Sequence, residues 1–170
     1  MTIDSIKENL QKAAIYHSEE SMLGHHCIIG YDKRFRWRWL ATQLNTFIVA
    51  ADLGDEAITA DLIEGYLSES FEYSMQNYKG WPRGLQSGVA VIAILISSNV
   101  TTEAKEYCEK LKSGSKWAAF TVPVVHDSSE NMTYRFLKRP SWGLVYYPHF
   151  RKLINELKSG LSQEAGKNSR

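Results

Sequence analysis

The residues of this chain whose types and spacing could do chemistry fall into three groups. His126 and Asp127 are adjacent, and a histidine beside a carboxylate is common material for an acid–base pair. Asn99 follows an apolar run and is placed to hold an anion near that pair. Arg83, Gln86 and Ser87 lead into the same run, and an arginine there could clamp a carboxylate or phosphate through two parallel bonds. The third group is Lys33-Arg34-Phe35-Arg36-Trp37-Arg38-Trp39, in which cations suited to phosphates alternate with rings suited to bases.

Each group also has a plainer explanation. Asp127 opens the turn-forming stretch Asp127-Ser128-Ser129-Glu130-Asn131, and neighbours on a strand point to opposite faces. Turn chemistry therefore favours a structural Asp127. Arg83 is accounted for by pairing with an acid of the segment from Asp55 to Glu72. On a helix, Phe35 and Trp39 would share one side and Arg34 and Arg38 another, as in any packed helix with a solvated face. His25-His26-Cys27 offers metal-type ligands side by side, but adjacent side chains seldom converge on one ion, so the stretch reads as a loop. No phosphate-binding loop, dinucleotide fingerprint, nucleophile elbow or zinc-type spacing occurs. Neither a metal nor a cofactor is expected.

The elements that must position these residues are organised around Val89–Ile96, an unbroken apolar run rich in Val and Ile. Such a run, bounded by Gly88 and by Ser97-Ser98-Asn99, reads as a strand buried on both faces. A helix capped by Thr101 or Asn99 and running to about Leu111, with a strand from Trp117 to His126, completes a β-α-β crossover, whose two strands should be parallel. The turn after Asp127 returns a strand from Met132 to Leu137, antiparallel to the last. Pro148 opens a final helix.

Ahead of the central run the periodicity predicts helices. Ile3 to about Glu20 has a cap at Thr2 or Asp4 and an apolar side at Ile6, Leu10, Ala13 and Ala14. Ser21 to Tyr31 reads as a break, with a short strand at Cys27-Ile28-Ile29. From Asp32 as a cap, Leu40, Leu44, Phe47, Ile48 and Ala51 recur at helical spacing as far as Gly54. A further helix from Asp55 to Tyr78 carries a wide apolar face opposite Asp61, Glu64, Ser68 and Glu72, forming a helical hairpin with its predecessor through Leu53-Gly54.

The expected fold is thus a single α/β domain with α+β character. A small mixed sheet of about three strands carries a β-α-β crossover and a β-hairpin. Its parts are a helical N-terminal portion (1–54), an acidic helix (55–78), and the sheet with its C-terminal helix (80–160), followed by a loose polar tail (161–170).

Net charge is +1, unlike most dedicated nucleic-acid binders. The distribution is uneven, however. No Lys or Arg occurs between Val49 and Asn77, and no acid between Asn131 and Asn155. No apolar run reaches the roughly 18 residues that span a bilayer, and the first residues lack a signal-peptide layout. The two cysteines suit a reducing compartment, so a cytoplasmic protein without membrane contact is expected. Folding the pattern gathers Arg83, Gln86, Ser87, Lys138, Arg139 and Trp142 on one basic, tryptophan-rich sheet edge. The leading functional expectation is a non-catalytic binding or interaction module using that edge, with a second copy docking through complementary acidic and basic faces. A nucleic-acid-associated protein using Lys33, Arg34, Arg36 and Arg38 is the alternative. A small-molecule enzyme at the strand ends, with His126 as base and Asn99 as anion holder, is the second alternative.

Overall fold

The computed structural model of the chain describes residues 1–39, 41–80, 87–110, 119–136 and 145–159. Its order is α1 (Ile3–Lys12), β1 (Tyr16–Met22), β2 (His25–Arg36), a 3-10 turn (Trp37–Trp39), β3 (Thr42–Asp52), α2 (Ala60–Asn77), β4 (Ser87–Ser97), α3 (Thr102–Lys110), β5 (Ala119–Asp127), β6 (Met132–Tyr134) and α4 (Tyr147–Ser159). The strands form one six-stranded mixed sheet in the order β1-β2-β3-β4-β5-β6. β3, β4 and β5 are mutually parallel, β2 is antiparallel to both β1 and β3, and β6 is antiparallel to β5.

β4 behaves as its composition dictates. All of its residues are buried, with Val91, Ala93 and Leu95 facing one core and Ala90, Ile92, Ile94 and Ile96 the other. It pairs in parallel with β5 from Val89↔Ala119 to Ser97↔Asp127. The β3-α2-β4 and β4-α3-β5 crossovers advance in one direction across the sheet, so helices of common handedness share a face. α2 and α3 lie together on one side, and α1 and α4 pack on the other. The result is a three-layer α/β/α domain.

The N-terminal third differs from the helical expectation. α1 has the expected Thr2 cap, where Thr2 Oγ1 accepts from the Ser5 amide at 3.3 Å. It ends at Lys12 rather than near Glu20, because Ala14 turns left-handed (φ 55°). The Ile15 and Ala14 amides then close onto the Leu10 and Gln11 carbonyls, a Schellman stop. The stretch read as a break is a tight hairpin in which Met22 pairs with His25 across Leu23 (φ 50°) and Gly24 (φ 81°). His25-His26-Cys27 is strand rather than loop, and the segment read as a helix from Asp32 to Gly54 is β2, the 3-10 turn and β3. Asp32 pairs with Thr46 across the ladder instead of capping a helix. Leu53-Gly54 joins a strand to α2, so no helical hairpin forms. About three strands become six because the N-terminal segment, expected as two helices around a break, supplies three of them.

The misreading has a physical cause. β3 is buried on both faces, with Leu44, Ile48 and Ala50 in one core and Phe47, Val49 and Ala51 in the other. An apolar run buried on both sides loses the two-residue alternation and mimics helical spacing. α2 begins at Ala60, capped by Thr59 Oγ1 on the Leu62 amide at 3.2 Å, and exposes Asp61, Glu64, Ser68 and Glu72 as expected. Among the described residues, no helix is long and apolar enough to cross a membrane.

Candidate functional site

The basic and aromatic block occupies the end of the β2–β3 hairpin. Alternation along β2 places Lys33 and Phe35 on the α2–α3 face, and Asp32, Arg34 and Arg36 on the α1–α4 face. At the tip the two tryptophans part company. Trp37 is 79% exposed and stands edge-on to Phe35 with ring centroids 5.4 Å apart, while Trp39 is 4% exposed. Trp39 packs against Tyr146 and His149 at the start of α4 and carries the Arg36 guanidinium 5.2 Å from its ring centroid. That contact is a cation–π anchor.

Arg34 is held differently. Its Nε donates to both oxygens of the Asp32 carboxylate, at 2.9 and 2.8 Å, and no other described group accepts from its terminal nitrogens. Asp32 is itself buried and lies 3.2 Å from His149 Nε2, out of line for a hydrogen bond. Burial alone would push the Asp32 carboxyl up, but His149 and Arg34 outweigh it and hold the group below its ordinary value. The opposing Thr46 hydroxyl is buried and has no hydrogen-bond partner among the described residues. No acid occurs between Lys33 and Ala51, and α4 begins at this end of the sheet with no acid in its first turn. Its positive N-terminal pole therefore adds to the arginine charges.

The same edge carries the first residue of β4. Ser87 pairs with Gln43, and Arg36 pairs with Thr42 one step away. Ser87, the one described residue of the expected rim, therefore lies at the same end of the sheet as the Lys33–Trp39 block. Ser87 is buried and accepts from Asn45 Nδ2 at 3.3 Å. Asn45 also reaches the Gly88 carbonyl and accepts from the Tyr31 hydroxyl at 2.7 Å. That hydroxyl meets the Lys79 backbone, and Gly80 follows against the side-chain ends of Gln43 and Asn45. Lys33 and Arg36 are exposed, and Arg34 is half-exposed. The backbone of Arg38 lies in the 3-10 turn. Arg83, Gln86, Lys138, Arg139 and Trp142 lie outside the described residues.

At the opposite edge, His126 and Asp127 do not converge. Both are buried, but His126 faces α1, with Nδ1 3.0 Å from Thr133 Oγ1 and Nε2 3.4 Å from the Met1 amine. Asp127 faces α3, where it meets Lys105 Nζ at 3.0 Å. Its Oδ1 also takes the amides of Ser129 and Glu130 and the Ser129 hydroxyl. Asn99 is exposed, and its backbone amide donates to Ser97 Oγ while its carbonyl accepts from the Ile58 amide. These bonds build the turn and tie α2 to β4. Likewise His25 pairs with Glu56 and His26 with Glu19. Among the described residues, no three His, Cys, Asp or Glu side chains gather as metal ligands.

Sequence reasoning missed Asp32, His149 and Asn45 as the groups that position this edge. The available signal was the strict alternation of Arg34, Arg36 and Arg38 with Phe35, Trp37 and Trp39, which is a strand period. No family model matches the chain, and no curated protein or solved structure matches it.

Proposed function

We propose that this protein is a non-catalytic binding module whose hairpin end holds single-stranded nucleic acid. The observation that carries the reading is Trp37, a large ring left 79% exposed beside Phe35 at the hairpin end, with Lys33 on the Phe35 face of β2 and Arg34 and Arg36 on the other. A ring left this exposed contributes little to folding, and its place at a hairpin end that carries cations suits a stacked base with phosphates alongside. Single strands are favoured over duplex because ring faces are accessible to unpaired bases only. The near-neutral total charge fits a localised contact: the acids of α2 repel a polyanion elsewhere and leave this edge as the attractive region.

The test is fluorescence titration of the intact protein with short oligothymidylate at several salt concentrations. Binding should weaken with salt, with a slope equivalent to roughly two or three neutralised phosphates. Trp37→Ala and Arg36→Glu should each reduce it. Absence of binding at about 50 mM salt, or undiminished binding by both variants, removes the reading. Self-association through the acidic face of α2 is the rival use of this edge. It predicts a mass that rises with protein concentration and falls back in Arg36→Glu, without any nucleic acid present.

A further inference from the structure

Lys33, Arg34 and Arg36 carry the same charge, yet the structure treats them differently. Lys33 is exposed. Arg34 and Arg36 are each fixed from behind, Arg34 by a buried carboxylate and Arg36 by the ring of a buried tryptophan. They sit two residues apart on one face of β2, so their stems are separated by about 6.6 Å. That is close to the step between successive phosphates in an extended strand.

Resting on the nucleic-acid reading of this edge, we infer that Arg34 and Arg36 form a preset clamp for two consecutive phosphates, and that Asp32 is the positioning residue that sets Arg34. A guanidinium has five N–H donors in a rigid fork. Asp32 engages only Nε, which leaves both terminal nitrogens to meet a phosphate through two parallel bonds. A free arginine loses side-chain entropy when it binds, and one already held loses less. Asp32 can perform this task because it stays ionised while buried, with His149 Nε2 3.2 Å from the same Oδ2 that Arg34 engages. Trp37 and Phe35, around the tip from the clamp, then receive the bases.

The inference makes a prediction whose sign opposes simple electrostatics. Asp32→Asn removes a negative charge beside a site for polyanions, so charge alone would tighten binding. Loss of positioning weakens it instead. Oligothymidylate affinity should fall roughly fivefold to tenfold, and the salt slope should flatten by about one phosphate. Arg34→Lys keeps the charge but has no fork, and should weaken binding to a similar extent. The double variant should be no weaker than either single one. Arg34 is half-exposed, so Arg34→Lys reports even if Asp32→Asn proves unstable at the assay temperature.

Wild-type binding that is unchanged or tightened by Asp32→Asn, in protein that unfolds cooperatively, would overturn the clamp while leaving the nucleic-acid surface standing. Unchanged binding by Arg34→Lys would do the same. Failure of the wild-type protein to bind would remove the surface itself. The two readings therefore fail separately.

Discussion

Tyr31 and Asn45 meet across the β2–β3 ladder, the tyrosine hydroxyl donating to Asn45 Oδ1 at 2.7 Å beneath the end of α2. From Asn45 the network continues to Ser87 and Gly88, and from Tyr31 to Lys79. One buried amide therefore ties β2, β3, β4 and the exit from α2 together.

Removing that amide should cost more than removing the hydroxyl. Asn45→Ala removes three hydrogen bonds from a buried position and should lower stability by about 2–3 kcal/mol, whereas Tyr31→Phe should lose about 1 kcal/mol. Urea denaturation midpoints of the two variants at constant m-value decide the order. A milder loss for Asn45→Ala than for Tyr31→Phe would contradict the hub.

Trp37 and Trp39 should respond in opposite ways. Trp39→Ala empties a packed position between Arg36, Tyr146 and His149, and should cost about 3–5 kcal/mol. Trp37→Ala should stay within about 0.5 kcal/mol of wild type, yet lose oligothymidylate affinity by roughly tenfold. Thermal melts and binding titrations on the same samples separate the two effects.

Acid should weaken the fold in two stages. Burial, followed by the nearby Met1 amine and Lys158, holds the His126 imidazole below its ordinary 6.5. The unfolded chain thus takes up that proton first, and stability declines as pH falls below 6.5 toward the depressed value. For Asp127, burial pushes the carboxyl up, but Ser129, Lys105 and the Glu130 amide prevail and bring it down from 3.8 to about 2. Its contribution is complete above 3.8 and disappears as pH falls toward about 2. Unfolding free energies measured across that range should lose the first decline in His126→Gln and the second in Asp127→Asn. A profile unchanged in both variants would contradict these assignments.

Gly30 is needed for close packing. A Cβ there would lie 2.6 Å from Leu10 Cδ2 and 3.3 Å from Ile48 Cδ1, so α1 sits directly on this part of β2. Gly30→Ala should cost about 1–3 kcal/mol. Adding Leu10→Ala should cost less in the Gly30→Ala background than alone, which a double-mutant cycle by denaturation measures.

Both thiols should be inert in the folded protein. Cys27 and Cys108 are buried, and burial pushes them up to about 11 and about 12. A thiol reagent at neutral pH should label neither until denaturant is added. Rapid labelling of the native protein would contradict the packing of α2 and α3.

The C-terminal two-thirds was legible because its signals did not compete. Val89–Ile96 has no helical alternative between Gly88 and Ser97, and Asp127 to Asn131 reads as a turn on chemistry alone. The N-terminal third was not. Leu44, Phe47, Ile48 and Ala51 satisfy a helical spacing only because β3 is covered on both sides, which periodicity cannot report. β1 is a polar edge strand, His17-Ser18-Glu19-Glu20-Ser21, with little β signal of its own. The partnership of Asp32 with His149 joins residues from opposite ends of the chain. It becomes visible only once α4 is laid across the sheet.

The strands lie side by side in the order in which they occur along the chain. Each newly synthesised strand therefore meets a partner already delivered, and the growing polypeptide never has to hold a gap open for a later insertion. Assembly can run as a one-way zipper, with few long detours to slow it. The docking of α4 against α1 and the end of the β2–β3 hairpin joins the two extremes, which makes it the natural last event before the hairpin end acquires its final shape.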